Sequence, residues 1–159
     1  MIHINIICVG KLKENYLKDA INEYCKRLSK YCKLDIIEIA DEQIPNNIND
    51  KISNNIKNIE GNKIINYLKN SYVISLDLKG KQYSSEDFSK KLEDISLFIN
   101  SNITFIIGGS LGLSDEVLEK SNELICFSKM TFPHQLIRVF LLEQIFRAFK
   151  IQNNETYHR

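Results

Sequence analysis

Ile103-Thr-Phe-Ile-Ile-Gly-Gly-Ser-Leu-Gly112 sets an apolar run of strand length directly before a loop that holds three of the chain's six glycines. A run this apolar, with no polar alternation, suits a strand covered on both faces, as in a parallel sheet between two helical layers. Glycine at the carboxyl end of such a strand has two uses. It closes a tight turn, or it lets the backbone approach a ligand at the edge where open α/β sheets bind. The pattern is GGxxG after a fourth strand rather than GxGxxG after a first, and no acidic residue follows a first βα turn at the right distance. A dinucleotide fingerprint is therefore a poor match. From the residues alone, both uses of the glycines stay open.

Working outward, strand-like and helix-like segments alternate. Residues 2–9 read as a first strand ended by Gly10. Leu17, Ile21, Tyr24, Cys25, Leu28 and Tyr31 recur at helical spacing over 14–31, and residues 34–40 read as a second strand. Ile48, Ile52, Ile56 and Ile59 predict a helix within 46–70, with Gly61 interrupting it. Residues 72–76 form a third strand, and Asp77–Gly80 has turn chemistry. Ser84 or Ser85 caps a helix reaching about residue 99, with Glu86 and Asp87 well placed in its first turn. After the glycine loop, Ser114 opens a short helix, residues 124–127 make a last strand, and Pro133 starts a long helix to about residue 151. This order implies an α/β fold over 1–159, a single domain with a mostly parallel sheet and helices on both faces.

The chain has 159 residues, 43% of them hydrophobic and 26% charged, which is a globular composition and excludes a disordered or fibrous one. Its net charge of +1 argues against coating nucleic acid through a broad basic surface, but not against a small local RNA site. The four cysteines are too scattered for a CxxC redox or zinc pattern and read as free thiols of a reduced cytoplasm. No segment approaches the roughly 20 apolar residues of a membrane span, and nothing at the start resembles a signal peptide. No metal-ligand cluster is present, so no metal is expected.

The C-terminal helix is apolar in nearly every direction: Leu136, Ile137, Val139, Phe140, Leu141, Leu142, Ile145, Phe146, Ala148, Phe149 and Ile151 surround its axis. A sheet covers one face only, so the pattern predicts a homodimer through this helix. His134, Gln135 and Arg138 interrupt the apolar surface on one side. Glu143 and Arg147 form an i,i+4 pair on another. Charge is concentrated here too: residues 129–159 net +3 and residues 1–128 net −2. The terminal Tyr157-His158-Arg159 offers an aromatic ring, a proton-transfer group and a guanidinium, suited to stacking on a base and holding a phosphate. The alternative is a frayed terminus.

Taken together, Phe105-Ile-Ile-Gly-Gly-Ser-Leu-Gly-Leu113, Phe127-Ser-Lys-Met-Thr-Phe-Pro-His-Gln135, Arg138, Glu143-Gln144, Phe146, Arg147-Ala-Phe-Lys150 and the final Tyr-His-Arg resemble the RlmH family of the SPOUT superfamily. These are large-subunit (23S) ribosomal RNA pseudouridine N3-methyltransferases. The likeness spans the chain, including the N-terminal VGKLKE, and is most specific in the C-terminal third. Phe146, where some relatives carry tyrosine, is a departure that costs only a hydroxyl. The resemblance implies a C-terminal trefoil knot, an exception to the rule against knots. It implies S-adenosyl-L-methionine held largely by backbone groups at Leu76, Gly108 and the stretch Phe127, Ser128, Lys129, Met130, Thr131 and Phe132. It also implies that the tail and the dimer seam build the RNA side, with His158, Tyr157, Arg159, His134 and Arg138 as the residues engaging the target and His158 as the simplest proton acceptor. The implied partner is large-subunit ribosomal RNA in the ribosome. Two rival readings are a non-catalytic ribosome-binding factor on the same fold, and a nucleotide- or flavin-binding domain judged by the glycine loop alone.

Overall fold

A computed structural model describes residues 1–157. Five parallel strands are ordered β2-β1-β4-β3-β5: β1 (Ile2–Val9), β2 (Cys32–Ile39), β3 (Tyr72–Lys81), β4 (Asn102–Ile107) and β5 (Glu123–Ile125). The alternation along the strands sorts side chains between two cores. Ile4, Ile6, Cys8, Ile103, Phe105 and Ile107 point into the larger one, which is completed by α1 (Asn15–Leu28), α3 (Ser85–Phe98) and α5 (His134–Gln152). Ile7, Val9 and Ile106 point into the smaller, completed by α2 (Asp50–Ile65) and α4 (Asp115–Glu119). The apolar run 103–107 thus lies in β4, buried on both faces with helices above and below it.

Local signals place the helix starts. Asn49 Oδ1 accepts from Ile52 N at 2.9 Å, Ser84 Oγ from Asp87 N at 3.0 Å, and Ser114 Oγ from Val117 N at 3.3 Å, so each satisfies an otherwise orphaned amide of its helix. All four cysteines are free thiols. Among the described residues no helix is long and apolar enough to cross a membrane, and no group of His, Cys, Asp and Glu is placed to hold a metal ion.

Two expectations change, and the cover of α5 is defined. Gly61 does not interrupt α2; the helix runs through it and uses its missing side chain for packing. A Cβ there would lie 2.5 Å from Ser114 Oγ and 3.2 Å from Val117 Cγ2, so glycine is what lets α2 close on the start of α4. Asp77–Gly80 does not end the third strand either. Asp77 Oδ2 accepts from Lys79 N at 3.0 Å, a local side-chain bond inside the strand. The strand then resumes, with Lys81 paired to Ile125, and the interruption stands as an irregularity within β3. Finally, α5 is largely covered by its own chain. It lies on the sheet between α1 and α3, and Leu141, Leu142, Ile145, Ala148 and Phe149 are buried there. Two flanking helices supply cover that a sheet alone does not. What stays open is a strip near its start, where Phe140 (36% exposed) meets the ring of Phe132 edge-on at 5.4 Å.

The Gly61 contact makes a prediction that runs against helix propensity. Alanine at an unobstructed helix position stabilises by about 0.5–1 kcal/mol. Here Gly61→Ala should instead lower unfolding free energy in urea by about 1–3 kcal/mol, the range for overpacking. A gain in stability would refute the close-packing role.

Candidate active site at the carboxyl edge of the sheet

Because β3, β4 and β5 are parallel, the loops leaving them emerge at one edge. There they enclose a cavity of about 600 Å³, within the usual size of a small-molecule site. Each loop supplies one wall: Leu76 to Lys79 from the interruption in β3, Gly108 to Gly112 after β4, and Phe127, Ser128 and Met130 to His134 after β5.

The glycine wall is a small closed turn. Gly112 N donates to Gly109 O at 3.1 Å, and Gly112 has φ +89°, a conformation that side chains resist. A Cβ on Gly108 would stand 3.0 Å from the Gly112 carbonyl carbon and from Leu113 Cδ2, so the turn closes this tightly only without one. The glycines therefore serve as a tight turn and as a low wall of the cavity at once.

The residues implied for the cofactor are drawn together. Leu76, Gly108, Phe127, Ser128, Met130, Thr131 and Phe132 all line this cavity, although they come from three separate loops; Lys129 does not line it. Met130 is 76% exposed at the rim. Sequence reasoning missed Asp77, Leu78, Lys79, Ser110 and Leu111 as lining residues. Their signal was available in part, since turn chemistry at a strand end marks that same edge.

His134 also lines the cavity, at the start of α5. Burial, reinforced by the positive Arg138 one turn on and opposed by Asp41, holds its imidazole below the ordinary histidine pKa of 6.5. It is therefore neutral at physiological pH.

Arg138 does not face outward. Its side chain is only 2% exposed; Nη1 donates to Glu38 Oε2 at 2.9 Å, and Nη2 to Gly10 O at 2.7 Å and Val9 O at 3.2 Å. A guanidinium so committed does not reach an external phosphate, which corrects the expectation that Arg138 engages the target directly. Its place in the molecule is a tie between the end of β1, β2 and α5.

Tyr157 lies over the outer flank of α5. Its hydroxyl donates to Glu143 Oε2 at 2.9 Å, and its ring packs edge-on to Phe146 at 5.1 Å and under the Arg147 guanidinium at 4.7 Å. Glu143 is the hub. It also accepts from Tyr24 at 2.6 Å and from Arg147 Nε and Nη2 at 2.9 and 2.7 Å, so the i,i+4 pair seen in the sequence is half of a larger cluster. Burial and the Glu143 bond both raise the Tyr157 phenol pKa, which makes Tyr157 a hydrogen-bond donor rather than a proton acceptor near neutrality. Two residues earlier, Glu155 takes bonds from Lys150 at 2.6 Å and Tyr31 at 2.7 Å, strapping the tail to α5 and to the residues after α1. His158 and Arg159 lie outside the described residues. Glu143 further lines a second cavity of about 290 Å³, which shares Phe127 and Phe132 with the larger one. Tail, carboxylate hub, small cavity and large cavity thus adjoin in sequence.

Following His134 by two-dimensional NMR should give a titration midpoint below 6.5. Since the folded state resists its protonation, the stability it contributes is full above that value and is lost as pH falls through the depressed midpoint. A midpoint at or above 6.5 would remove the neutral imidazole from the site.

Comparison with known proteins agrees with this geometry. A family model described as "Predicted SPOUT methyltransferase" matches residues 2–158. A Clostridium botulinum (strain Eklund 17B / Type B) protein named ribosomal RNA large subunit methyltransferase H is 62% identical over 158 residues, 99% of either chain. Among solved structures, a probable methylase family protein from Haemophilus influenzae Rd KW20 superposes with a TM-score of 0.57 at 12% identity, covering 98% of this chain and 70% of that one. The Legionella pneumophila protein Lpg2936, solved in complex with the bound cofactor SAM, gives 0.50 at 12% identity, covering 93% of this chain and 66% of that one.

Proposed function

The chain belongs to the SPOUT methyltransferase family, and from that premise we propose that it methylates N3 of a pseudouridine in large-subunit (23S) ribosomal RNA, using S-adenosyl-L-methionine. The observation that carries this reading is the single cavity that three loops form at the carboxyl edge of β3, β4 and β5. Its volume and its glycine wall fit a nucleoside-sized cofactor gripped by backbone. Leu76, Gly108, Phe127, Ser128, Met130, Thr131 and Phe132 would hold it. The cofactor, when bound, supplies a methyl group activated on sulfonium.

The protein's own work is alignment and proton handling. N3 of a pseudouridine is an imide N–H, and its lone pair becomes available only as the proton leaves, so a base must stand within hydrogen-bond reach. His134 is neutral and lines the cavity, which makes it chemically able to accept or relay that proton. His158 remains the simplest acceptor from the sequence. Tyr157, held by Glu143, fixes where the last residues of the tail begin. Ordering the nucleophile against the methyl group supplies the rest of the rate gain.

The same premise carries a C-terminal trefoil knot across residues 1–159 as one domain. It is supported by the path of the chain, which passes from β4 to the outermost strand β5 and then returns beneath the sheet as α5. It also carries a homodimer, supported by the open apolar strip of Phe132 and Phe140. A ribosomal substrate places the protein in the cytoplasm. With a net charge of only +1, counterion release gives little affinity for bare RNA, so the substrate is a folded ribosomal surface read by shape.

The test is mass mapping of ribosomal RNA after incubation of the protein with cofactor and ribosomes. One pseudouridine should gain a methyl group; cofactor binding without transfer would favour the non-catalytic ribosome-binding factor. Removing Tyr157–Arg159 should abolish methylation and leave cofactor affinity nearly unchanged by calorimetry; a truncated protein working at the normal rate would refute the tail's role. Methylation of a naked RNA hairpin should be far slower than of ribosomes, and equal rates would refute recognition of the folded surface.

A further inference from the structure

We infer that Gly10-Lys-Leu-Lys-Glu-Asn-Tyr-Leu-Lys18, which joins β1 to the first turn of α1, is a second contact for the RNA substrate, its lysines meeting backbone phosphates and Tyr16 stacking on an exposed base. The inference rests on the reading of the protein as an RNA methyltransferase and adds a site remote in sequence from the C-terminal tail.

Charge comes first. These nine residues hold three lysines and one glutamate, a net +2 within a 1–128 stretch that nets −2. Lys11, Lys13 and Lys18 are all exposed, and none has an ion-pair or side-chain hydrogen-bond partner among the described residues. Between them Tyr16 is 69% exposed. An aromatic face set among free ammonium groups is the pairing that single-stranded or looped RNA uses, with rings for bases and cations for phosphates.

Position comes second. The segment leaves the carboxyl end of β1, next to β4 in the sheet, and so lies at the same edge as the cofactor cavity. A Cβ on Gly10 would stand 3.9 Å from Nε2 of His134, itself a wall of that cavity. A base in the site and a phosphate on the lysines are therefore within the span of one strand of RNA.

The third observation is how the backbone is held. Arg138 Nη2 binds the Val9 and Gly10 carbonyls at 3.2 and 2.7 Å, Leu12 N donates to Glu38 Oε2 at 2.9 Å, and Lys13 N donates to Gln135 Oε1 at 3.4 Å. Four bonds, two of them from one buried guanidinium, fix the loop while leaving the ammonium groups free. Such pre-organisation lowers the ordering cost of binding.

The experiment measures methylation rate against ribosome concentration over a series of potassium chloride concentrations. Lys11→Ala/Lys13→Ala/Lys18→Ala is compared with the charge-matched Lys33→Ala/Lys57→Ala/Lys120→Ala, which alters lysines outside this segment. The first variant should raise KM for ribosomes about tenfold or more and reduce the slope of log kcat/KM against log salt by about 2, while cofactor affinity and the near-ultraviolet circular dichroism stay unchanged. Tyr16→Ala should also raise KM, and Tyr16→Phe should restore it, because stacking needs only the ring. Equal KM and slope in the two triple variants would overturn the inference. So would a photo-crosslinker at position 16 that labels a ribosomal protein in place of RNA. If the unaltered protein methylates no ribosomal RNA, the functional reading fails by itself; co-sedimentation of the same variants with ribosomes then still tests the contact.

Discussion

A guanidinium with 2% of its surface exposed must find its partners inside the protein, and Arg138 finds them on two neighbouring strands at once. Burying a cation is unfavourable unless hydrogen bonds and an opposite charge replace its water. Here two carbonyls at the end of β1 and the carboxylate of Glu38 on β2 do so, leaving only Nε without an acceptor. The consequence is geometric. The start of α5 is pinned to the end of β1, and with it His134 on one side and the loop of residues 10–13 on the other. The walls of the cavity owe their mutual placement to that pin as much as to the sheet beneath them.

Much of the fold is legible in the sequence because the sheet is parallel and doubly covered. Five strands and five helices follow from apolar runs, helical spacing and capping residues such as Ser84 and Ser114. The misread points share a cause. Gly61 and Asp77–Gly80 look like breaks because local propensity makes them so. Tertiary contacts decide otherwise, since α4 needs the space above Gly61 and β5 recaptures the strand at Lys81. The apolar girth of α5 is met in large part by α1 and α3, which flank it on the sheet.

For the site, residues from three separate loops come to one edge because a parallel sheet delivers its loops there. What no pattern in the sequence discloses is direction. His134 and Arg138 lie one turn apart on the same helix, yet one turns to the cavity and the other into the interior. Nor does spacing link Tyr24, Glu143 and Tyr157; only the docking of α1 and the tail against α5 brings two phenols onto the carboxylate that Arg147 already pairs.

The two rims of the sheet are unequal. β5 is three residues long, too brief a ladder for a foreign strand to extend, and β2 at the opposite rim carries the charged residues Lys33, Asp35 and Glu38. Short and charged margins are how natural sheets avoid runaway strand addition. Strand addition is thereby disfavoured at both hydrogen-bonding margins of the sheet.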